Sequence, residues 1–441
     1  MHFTLRPPKP QRIAVIGGGI AGLSCAWLLR DTHDVVLYEA EPRLGGHADT
    51  QLVKVAGKPV AVDTGFIVYN EVNYPNLVAL FAALGVATEA SDMSFSVARL
   101  DRDLEYAGGR LSQLFADPRN AFSPRFLSML RDVLRFYRRA PALLDAGDDA
   151  LSLGEYLERE GYGAAFVHDH LLPMGAAIWS GSVAGMHAFP ARSFIRFFLN
   201  HGLLRLSGRP RWRTVSGGSH RYVAKIAAAL GGRARLGCPV RAVRRDATGV
   251  WVRPAVGDQE RFDQAVLAVH GDQALRLLEA PTQAEARLLG AVRYQENRLV
   301  LHTDARLMPR RRRVWSSWNY LSVGAGDETR AVSVSYWMNR LQNLHTPMPL
   351  VASLNPFREP TPASVLAERV YRHPQYDHAM LKAQMALPSI QGRDRVWFCG
   401  AWCGYGFHED GIASAAQVAE ALGAPPPWRV ALAPAPSPAD R

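Results

Sequence analysis

The chain has 441 residues, 48% of them hydrophobic and 21% charged, enough to bury a large core in two or three domains and unlike a disordered or fibrous protein. No run approaches the roughly 18 uninterrupted apolar residues of a membrane-spanning helix, and the opening MHFTLRPPKPQR is charged but lacks the apolar segment of a secretory signal. The net charge of +11 suits solubility or an anionic membrane surface. Nucleic acid is the least favoured use of that charge and is not expected as a partner. Four irregularly placed cysteines, Cys25 among them inside an expected helix, fit a reduced, cytoplasmic protein, and the basic charge is compatible with a peripheral place on the inner membrane face.

The first ordered stretch is RIAVIGGGIAGLSCAWLLRDTHDVVLYEAEPRLGG, from Arg12 to Gly46. Ile13 to Ile16 reads as a buried parallel strand, and Gly17, Gly19 and Gly22 form G-x-G-x-x-G at the turn into an apolar helix, Ile20 to Leu29. The first glycine allows the turn and the second admits a pyrophosphate. The third lets helix and strand pack closely, with phosphate at the helix N-terminus. A second strand, Val35 to Tyr38, ends at Glu39, 22 positions after Gly17, where an acid accepts a ribose hydroxyl. The same acid argues against NADP, whose 2′-phosphate would face a carboxylate.

Arg43, Leu44, Gly45 and Gly46 then form R-x-G-G, and Asp63-Thr64-Gly65-Phe66 follows. Together with the glycine turn, these segments resemble the flavin-containing amine oxidases and carotenoid-desaturase-like enzymes. The resemblance implies FAD rather than NAD. It places Gly17, Gly19, Ile20, Ala21, Gly22, Glu39, Ala40, Arg43, Gly45, Gly46, His47, Thr64, Gly65 and Phe66 along the cofactor.

From Pro75 to Leu84 the pattern is helical and closes on Gly85. Ser94 to Ala98 and Leu104 to Tyr106 read as a hairpin. Amphipathic helices follow from Pro124 to about Leu144, Ser152 to Glu160 and Phe166 to Ile178, an insertion expected to cap the flavin. Near Thr214 the nucleotide-binding pattern resumes: Gly217-Gly218 leads into a helix, Tyr222 to Leu230, then strands at Val240 to Val243, Gly249 to Val252 and Asp263 to His270. The resemblance puts Val240 beside the adenine side of FAD.

A second substrate section follows, with strands at Arg298 to His302 and Ala331 to Trp337. Trp315, Trp318, Tyr320, Tyr336 and Trp337 are either core or the wall for a long apolar substrate. The last strand runs from Arg395 into Gly400, and a helix is expected from Ile412 to Leu422. By resemblance, the N–H groups of Gly411 and Ile412 donate to the flavin N1/C2=O edge. The fold class is therefore α/β: a discontinuous Rossmann-like FAD-binding domain (12–75, 214–278 and 391–423) on a parallel sheet, with an interleaved α+β substrate domain (76–213 and 279–390). The Pro/Ala-rich 424–441 is expected to be disordered.

For catalysis, Tyr405 to Glu409 are the side chains expected to face the flavin ring. His408 is a general base or proton carrier, or else simply packed. Glu409 either orients it or contacts the ribityl chain. Two departures separate the chain from amine oxidases. Between Lys225 and Lys382 there is no lysine, so Asn297 or Arg298 stands where those enzymes place one near flavin N5. His47 stands where arginine usually follows R-x-G-G. Elsewhere, His168 and His170 lack partners at metal spacing, and no metal is expected. Cys399 and Cys403 read as inert thiols, with a flavin thioether at Cys403 as the alternative. Arg310 to Arg313 reads as a solvated run.

Longer phrases sharpen the resemblance: VDTGFIVYNEVNYPNL (62–77), WSSWNY (315–320), SYWMNRLQNL (335–344) and FCGAWCGYGFHEDG (398–411). They look like a bacterial group of FAD-dependent oxidoreductases associated with cyclopropane-fatty-acid-synthase-like methyltransferases. That implies hydride transfer to flavin N5 from a methyl-branched fatty-acyl chain of membrane lipid. An amine or amino-acid oxidase, or a non-catalytic flavin-binding partner of a lipid methyltransferase, stay open as alternatives.

Overall fold

The protein is described by a computed structural model covering residues 9–147, 149–324 and 332–428. Ile13 to Ile16 are all buried, and this uninterrupted apolar run sits at the centre of a five-stranded sheet. Its strands lie in the order Ala234–Arg235, Asp34–Tyr38, Arg12–Ile16, Gln264–Leu267 and Val396–Phe398, every neighbouring pair parallel. A strand covered on both faces needs apolar side chains on both, which explains the absence of alternation. The helix Ile20–Leu29 is buried along its whole length between the sheet and two further helices, His220–Leu230 and His408–Ala421. Gly22 makes that packing possible, since a Cβ there would stand 1.8 Å from the Gly17 carbonyl oxygen.

A seven-stranded sheet forms the second half. It runs in the order Val365–Gln375, Arg293–His302, Val351–Leu354, Ser333–Trp337, Trp318–Ser322, Phe95–Arg99 and Leu104–Ala107. The expected hairpin at 94–106 is its far edge, joined in parallel to Trp318–Ser322. Residue 331, the expected start of one strand, lies outside the described residues. The insertion helix Leu172–Trp179 packs against the strands Trp318–Ser322 and Val365–Gln375 of this sheet. Along Pro124–Arg139, Phe126, Met129, Val133 and Phe136 turn inward while Leu127, Arg131, Leu134 and Arg138 stay exposed, the 3.6-residue stripe that the sequence carries.

Two expectations are corrected here. The last helix begins at His408, four residues before Ile412, because the Asp410 carboxylate accepts the Phe407 N–H at 2.9 Å and caps the turn. Gly411 is thus interior; a Cβ there would lie 3.0 Å from Ile20 Cγ2, so its role is close helix–helix approach. Residues 424–428 are ordered against the fold: Trp428 stacks on Trp27 with ring centroids 5.9 Å apart and donates to Asn76 Oδ1 at 3.1 Å. The rest of the expected disordered tail, 429–441, lies outside the described residues. Arg310, Arg312 and Arg313 are exposed, as expected of a solvated run, and the segment is anchored from beneath. The buried Glu105 carboxylate accepts the backbone N–H groups of Arg310 and Arg311 at 2.7 and 2.9 Å, and the Arg312 guanidinium lies 3.8 Å from the Trp315 ring centroid.

Candidate active site

A cavity of about 1230 Å³ runs from the first glycine turn, at the C-terminal edge of the parallel sheet, to an aromatic wall in the second half. Parallel α/β sheets bind ligands at this edge. Gly17 has φ +108°, and a Cβ on it would meet the Ala268 carbonyl oxygen at 2.5 Å. Gly19 differs: it caps the helix with an ordinary φ of −74°, and nothing lies within 4 Å of the place its Cβ would occupy. Leu23 N–H is the first to bond back, to Gly19 O at 2.9 Å, so the N–H groups of Ile20 and Ala21 remain at the cavity wall without a helical acceptor.

Glu39 closes the far side of this turn. Its carboxylate accepts the N–H groups of Gly18 at 2.6 Å and Glu41 at 2.8 Å, beside Ala40 and Val240 in the wall. The second glycine pair locks onto the first: Gly45 N–H donates to Gly18 O at 2.8 Å, and a Cβ on Gly46 would lie 3.1 Å from Gly19 Cα. Arg43 holds Gly46 O and pairs with Asp49 at 3.1 Å. Gly65 has no room for a side chain, since a Cβ would meet His47 O at 2.0 Å, and Phe66 N–H donates to that same oxygen at 2.7 Å. Thr64, Phe66 and Gly400 line the cavity.

Three histidines that the sequence does not bring together meet in the wall. The ring of His47 lies 6.2 Å from His270 and 5.5 Å from His373. Burial, with neighbouring positive charge, lowers His47 and His270 to about 4 and His373 to about 3, so all are neutral imidazoles at ordinary pH. Only His47 was expected at the site. The signal for His270 was its place just past the strand Gln264–Leu267, at the ligand-binding edge of the sheet; nothing local marks His373.

His408 also lines the cavity, its ring 3.7 Å from Phe66 and nearly parallel, with Nε2 sharing a 3.0 Å hydrogen bond with Tyr222. Burial lowers its pKa far below the usual histidine range, which holds it neutral. Tyr405 is in the wall too, its phenol pushed up to about 12 by burial. Glu409 is not in the wall. Its carboxylate turns away from His408 and accepts Asn76 N–H, Asn76 Nδ2–H and Leu77 N–H at 3.0, 2.7 and 3.0 Å, capping the helix Pro75–Leu84 whose own cap residue, Tyr74, offers no acceptor. Glu409→Ala leaves those donors buried and unpaired. It is expected to cost about 2–4 kcal/mol of stability, read as a lower urea midpoint; an unchanged midpoint would refute the capping role.

Asn297 is fully buried behind the wall, its amide 2.9 Å from His373 Nδ1, and Arg298 points outward to Glu359 and Glu368. Neither faces the cavity as expected. The expected donors Gly411 and Ile412 are also absent from the wall, and Gly411 N–H is spent on Phe407 O. Of the five aromatics, Trp318 and Tyr336 reach the cavity, while Trp315 and Trp337 pack with Met308 and Val351 in a separate cluster and Tyr320 lies in the core.

A model of the flavin containing amine oxidoreductase family matches residues 20–373. The chain belongs to that family. Among curated relatives, a carotenoid phi-ring synthase of Chlorobaculum tepidum is 33% identical over 137 residues, 30% of this chain and 21% of that protein. An L-amino acid oxidase of Cerastes cerastes is 44% identical over 43 residues, 10% of this chain and 8% of that one. The chain thus matches less than a quarter of either relative's length. Among solved structures, a putrescine oxidase mutant aligns at TM-score 0.67 with 15% identity over 94% of this chain and 98% of its own. A CLA-producing fatty acid isomerase from P. acnes aligns at 0.65 with 16% identity, over 93% and 99%. Cyclohexylamine oxidase from Brevibacterium oxydans aligns at 0.66 with 17% identity, over 94% and 99%.

The family implies FAD as cofactor, and the cavity suits it. The vacant space at Gly19, the helix N–H groups behind it and the acid at Glu39 are complementary to a pyrophosphate and a ribose. Among the described residues no group of His, Cys, Asp or Glu could hold a metal ion; His170 is bonded to Tyr106 instead. Cys399 and Cys403 are free, and burial pushes the Cys403 thiol up to about 12, far from a reactive thiolate. Among the described residues no helix of this oxidoreductase is long and apolar enough to cross a membrane.

Proposed function

We propose that this oxidoreductase dehydrogenates a long acyl chain, a methyl-branched fatty-acyl group of membrane lipid. The observation that supports it is the distribution of charge around the cavity. Among the described residues the carboxylates in its wall are Glu39, Glu41 and Asp49, all at the glycine-turn end. The other end is built by Met93, Trp179, Phe197, Trp212, Trp318 and Tyr336. A cationic amine there would find no counter-charge, whereas an alkyl chain gains from every apolar contact. The lysine of amine oxidases is missing from Arg293–His302 as well.

In this reading Gly17 to Ala21, Glu39, Arg43, Gly46 and Val240 hold the nucleotide part of FAD. Phe66, His408 and Tyr405 shape the space around the reacting carbons and exclude water from it. When bound, FAD supplies the hydride acceptor, and the two hydrogens lost from adjacent carbons leave as that hydride and a proton. A basic chain presenting exposed Leu111, Phe122, Leu127 and Leu134 suits an anionic membrane surface, where such a lipid and a lipid methyltransferase would be met.

The test is anaerobic absorbance of the FAD-loaded protein mixed with anionic vesicles carrying methyl-branched chains. Bleaching of the oxidised flavin band, and binding to the vesicles that weakens with salt, are expected. Bleaching by a panel of amines and not by lipid would replace this reading with an amine or amino-acid oxidase. No bleaching by either would leave a flavin-binding partner protein.

A further inference from the structure

We propose that His373 is a fixed hydrogen-bond donor of the active-site cavity, set in its neutral Nε2–H form by a relay of two buried asparagines anchored on the backbone. The anchor is the N–H of Arg298, which donates to Asn355 Oδ1 at 3.0 Å. A backbone N–H cannot accept, so the orientation of the Asn355 amide is settled, and its NH₂ points the other way. There Asn355 Nδ2 donates to Asn297 Oδ1 at 2.7 Å and to Val332 O at 3.3 Å. That settles Asn297 in turn: its NH₂ faces His373 Nδ1 at 2.9 Å. An amide NH₂ only donates. His373 Nδ1 must therefore accept, and the single proton of the neutral ring sits on Nε2.

Several observations support a functional use of this arrangement. Asn297 is fully buried and Asn355 adopts φ +44°, a left-handed conformation tolerated by asparagine and held here by its Asn355 N–H bond to Arg298 O at 2.7 Å. His373 lines the cavity, and among the described residues no protein group is bonded to its Nε2, which is not one of the sealed, unpartnered atoms of the fold. The groups facing the ring are His47, His270 and Tyr371; the two histidines carry no charge at neutral pH, and burial drives the Tyr371 phenol up, so no counter-ion favours an imidazolium. The ligand chemistry it fits is an oxygen acceptor, a carbonyl or an anion, that needs a donor without a full charge. Such an acceptor is present both in FAD and in an acyl lipid. Asn297 and Asn355 act through His373 and are positioning residues.

The inference rests on the cavity being the FAD site but not on the acyl reading. It is tested with full-length protein labelled with ¹⁵N-histidine, with His373→Gln used to assign the ring signals. Between pH 6 and 8 the wild type is expected to show the nitrogen pattern of an Nε2–H imidazole at His373. Asn297→Asp, whose carboxylate accepts from Nδ1–H, is expected to move a proton onto Nδ1 while the far-ultraviolet circular dichroism stays that of the parent. A wild-type ring protonated at Nδ1, or a pattern unchanged by Asn297→Asp, would overturn the relay. The Nε2–H resonance is then followed on loading FAD, and on adding a long-chain fatty acid to the loaded protein. A shift with FAD assigns the acceptor to the cofactor, a shift only with the fatty acid assigns it to the substrate, and a shift with neither overturns the donor role. Failure of the acyl reading is seen separately, as flavin that lipid does not bleach.

Discussion

Gly19→Val is expected to fold like the parent protein and to purify without flavin. The two halves of that expectation come from different facts. Gly19 has an ordinary φ of −74° with ψ near −177°, extended geometry that a β-branched residue adopts readily, and its Cβ would meet nothing within 4 Å. The fold has no use for the missing side chain. That vacancy lies in front of the N–H groups of Ile20 and Ala21, in the path a pyrophosphate takes. An isopropyl group there is expected to weaken FAD binding at least about 100-fold, or about 2.7 kcal/mol. Retained flavin absorbance, FAD affinity by fluorescence quenching and the thermal midpoint of the FAD-free protein separate the two effects. Gly22→Val is the control: its Cβ would be driven to 1.8 Å from Gly17 O, and it is expected to fail at folding. A Gly19→Val protein as yellow as the parent would show that FAD lies elsewhere.

Stability of the FAD-free protein is expected to fall steeply on acidification below pH 6.5. Burial lowers His47, His170, His201, His270 and His302 to about 4 and His373 to about 3, and it holds His408 well below the usual histidine range. In the unfolded chain each titrates near 6.5. For a depressed pKa the contribution is complete above the unfolded value and is lost as pH falls toward the folded one. Between pH 6.5 and 4 the unfolded state therefore binds the extra protons. Each fully protonated-on-unfolding histidine adds about 1.4 kcal/mol per pH unit to the slope.

Three acids oppose this, among them Glu409, which burial raises above the ordinary carboxylate range. Asp63 is raised to about 6 and Asp410 to about 7, so their contribution is complete below the unfolded carboxylate pKa and is lost as pH rises through those values. Seven histidines outweigh three acids in the window they share. With a typical domain stability of about 5–15 kcal/mol, unfolding is expected before pH 4 is reached. Urea midpoints measured from pH 8 to 4.5 check it; a flat or rising stability on acidification would mean that these rings are charged or hydrated in the fold.

The nucleotide-binding half was legible in the sequence because its signals are local. Strand, glycines, helix, second strand and acid follow one another within residues 12–39, and each constrains the next. The failures have the opposite character. Glu409 was placed by its neighbour His408, but its partners are Asn76 and Leu77, more than three hundred positions away. The true start of the last helix depends on the Asp410 cap and on Gly411 meeting Ile20, a contact between the two ends of the sheet domain. Arg310 to Arg313 is the surface run it reads as, but its anchor, the buried Glu105, is equally distant in the chain. The histidine cluster is invisible for the same reason: His47, His270 and His373 come from three separate elements, and only the folded wall makes them one feature.

The order of strands in the parallel sheet bears on how the enzyme is made. Arg12–Ile16 and Val396–Phe398 belong to one sheet, and the helix that seals the glycine turn is His408–Ala421. During synthesis the first strands emerge long before the elements that flank and cover them. A ribosome-bound chain can form the glycine turn but cannot bury the Ile20–Leu29 helix, whose apolar surface stays open to solvent until His408–Ala421 arrives. A cofactor site built on this turn is therefore complete only once the two ends of the sheet domain have met.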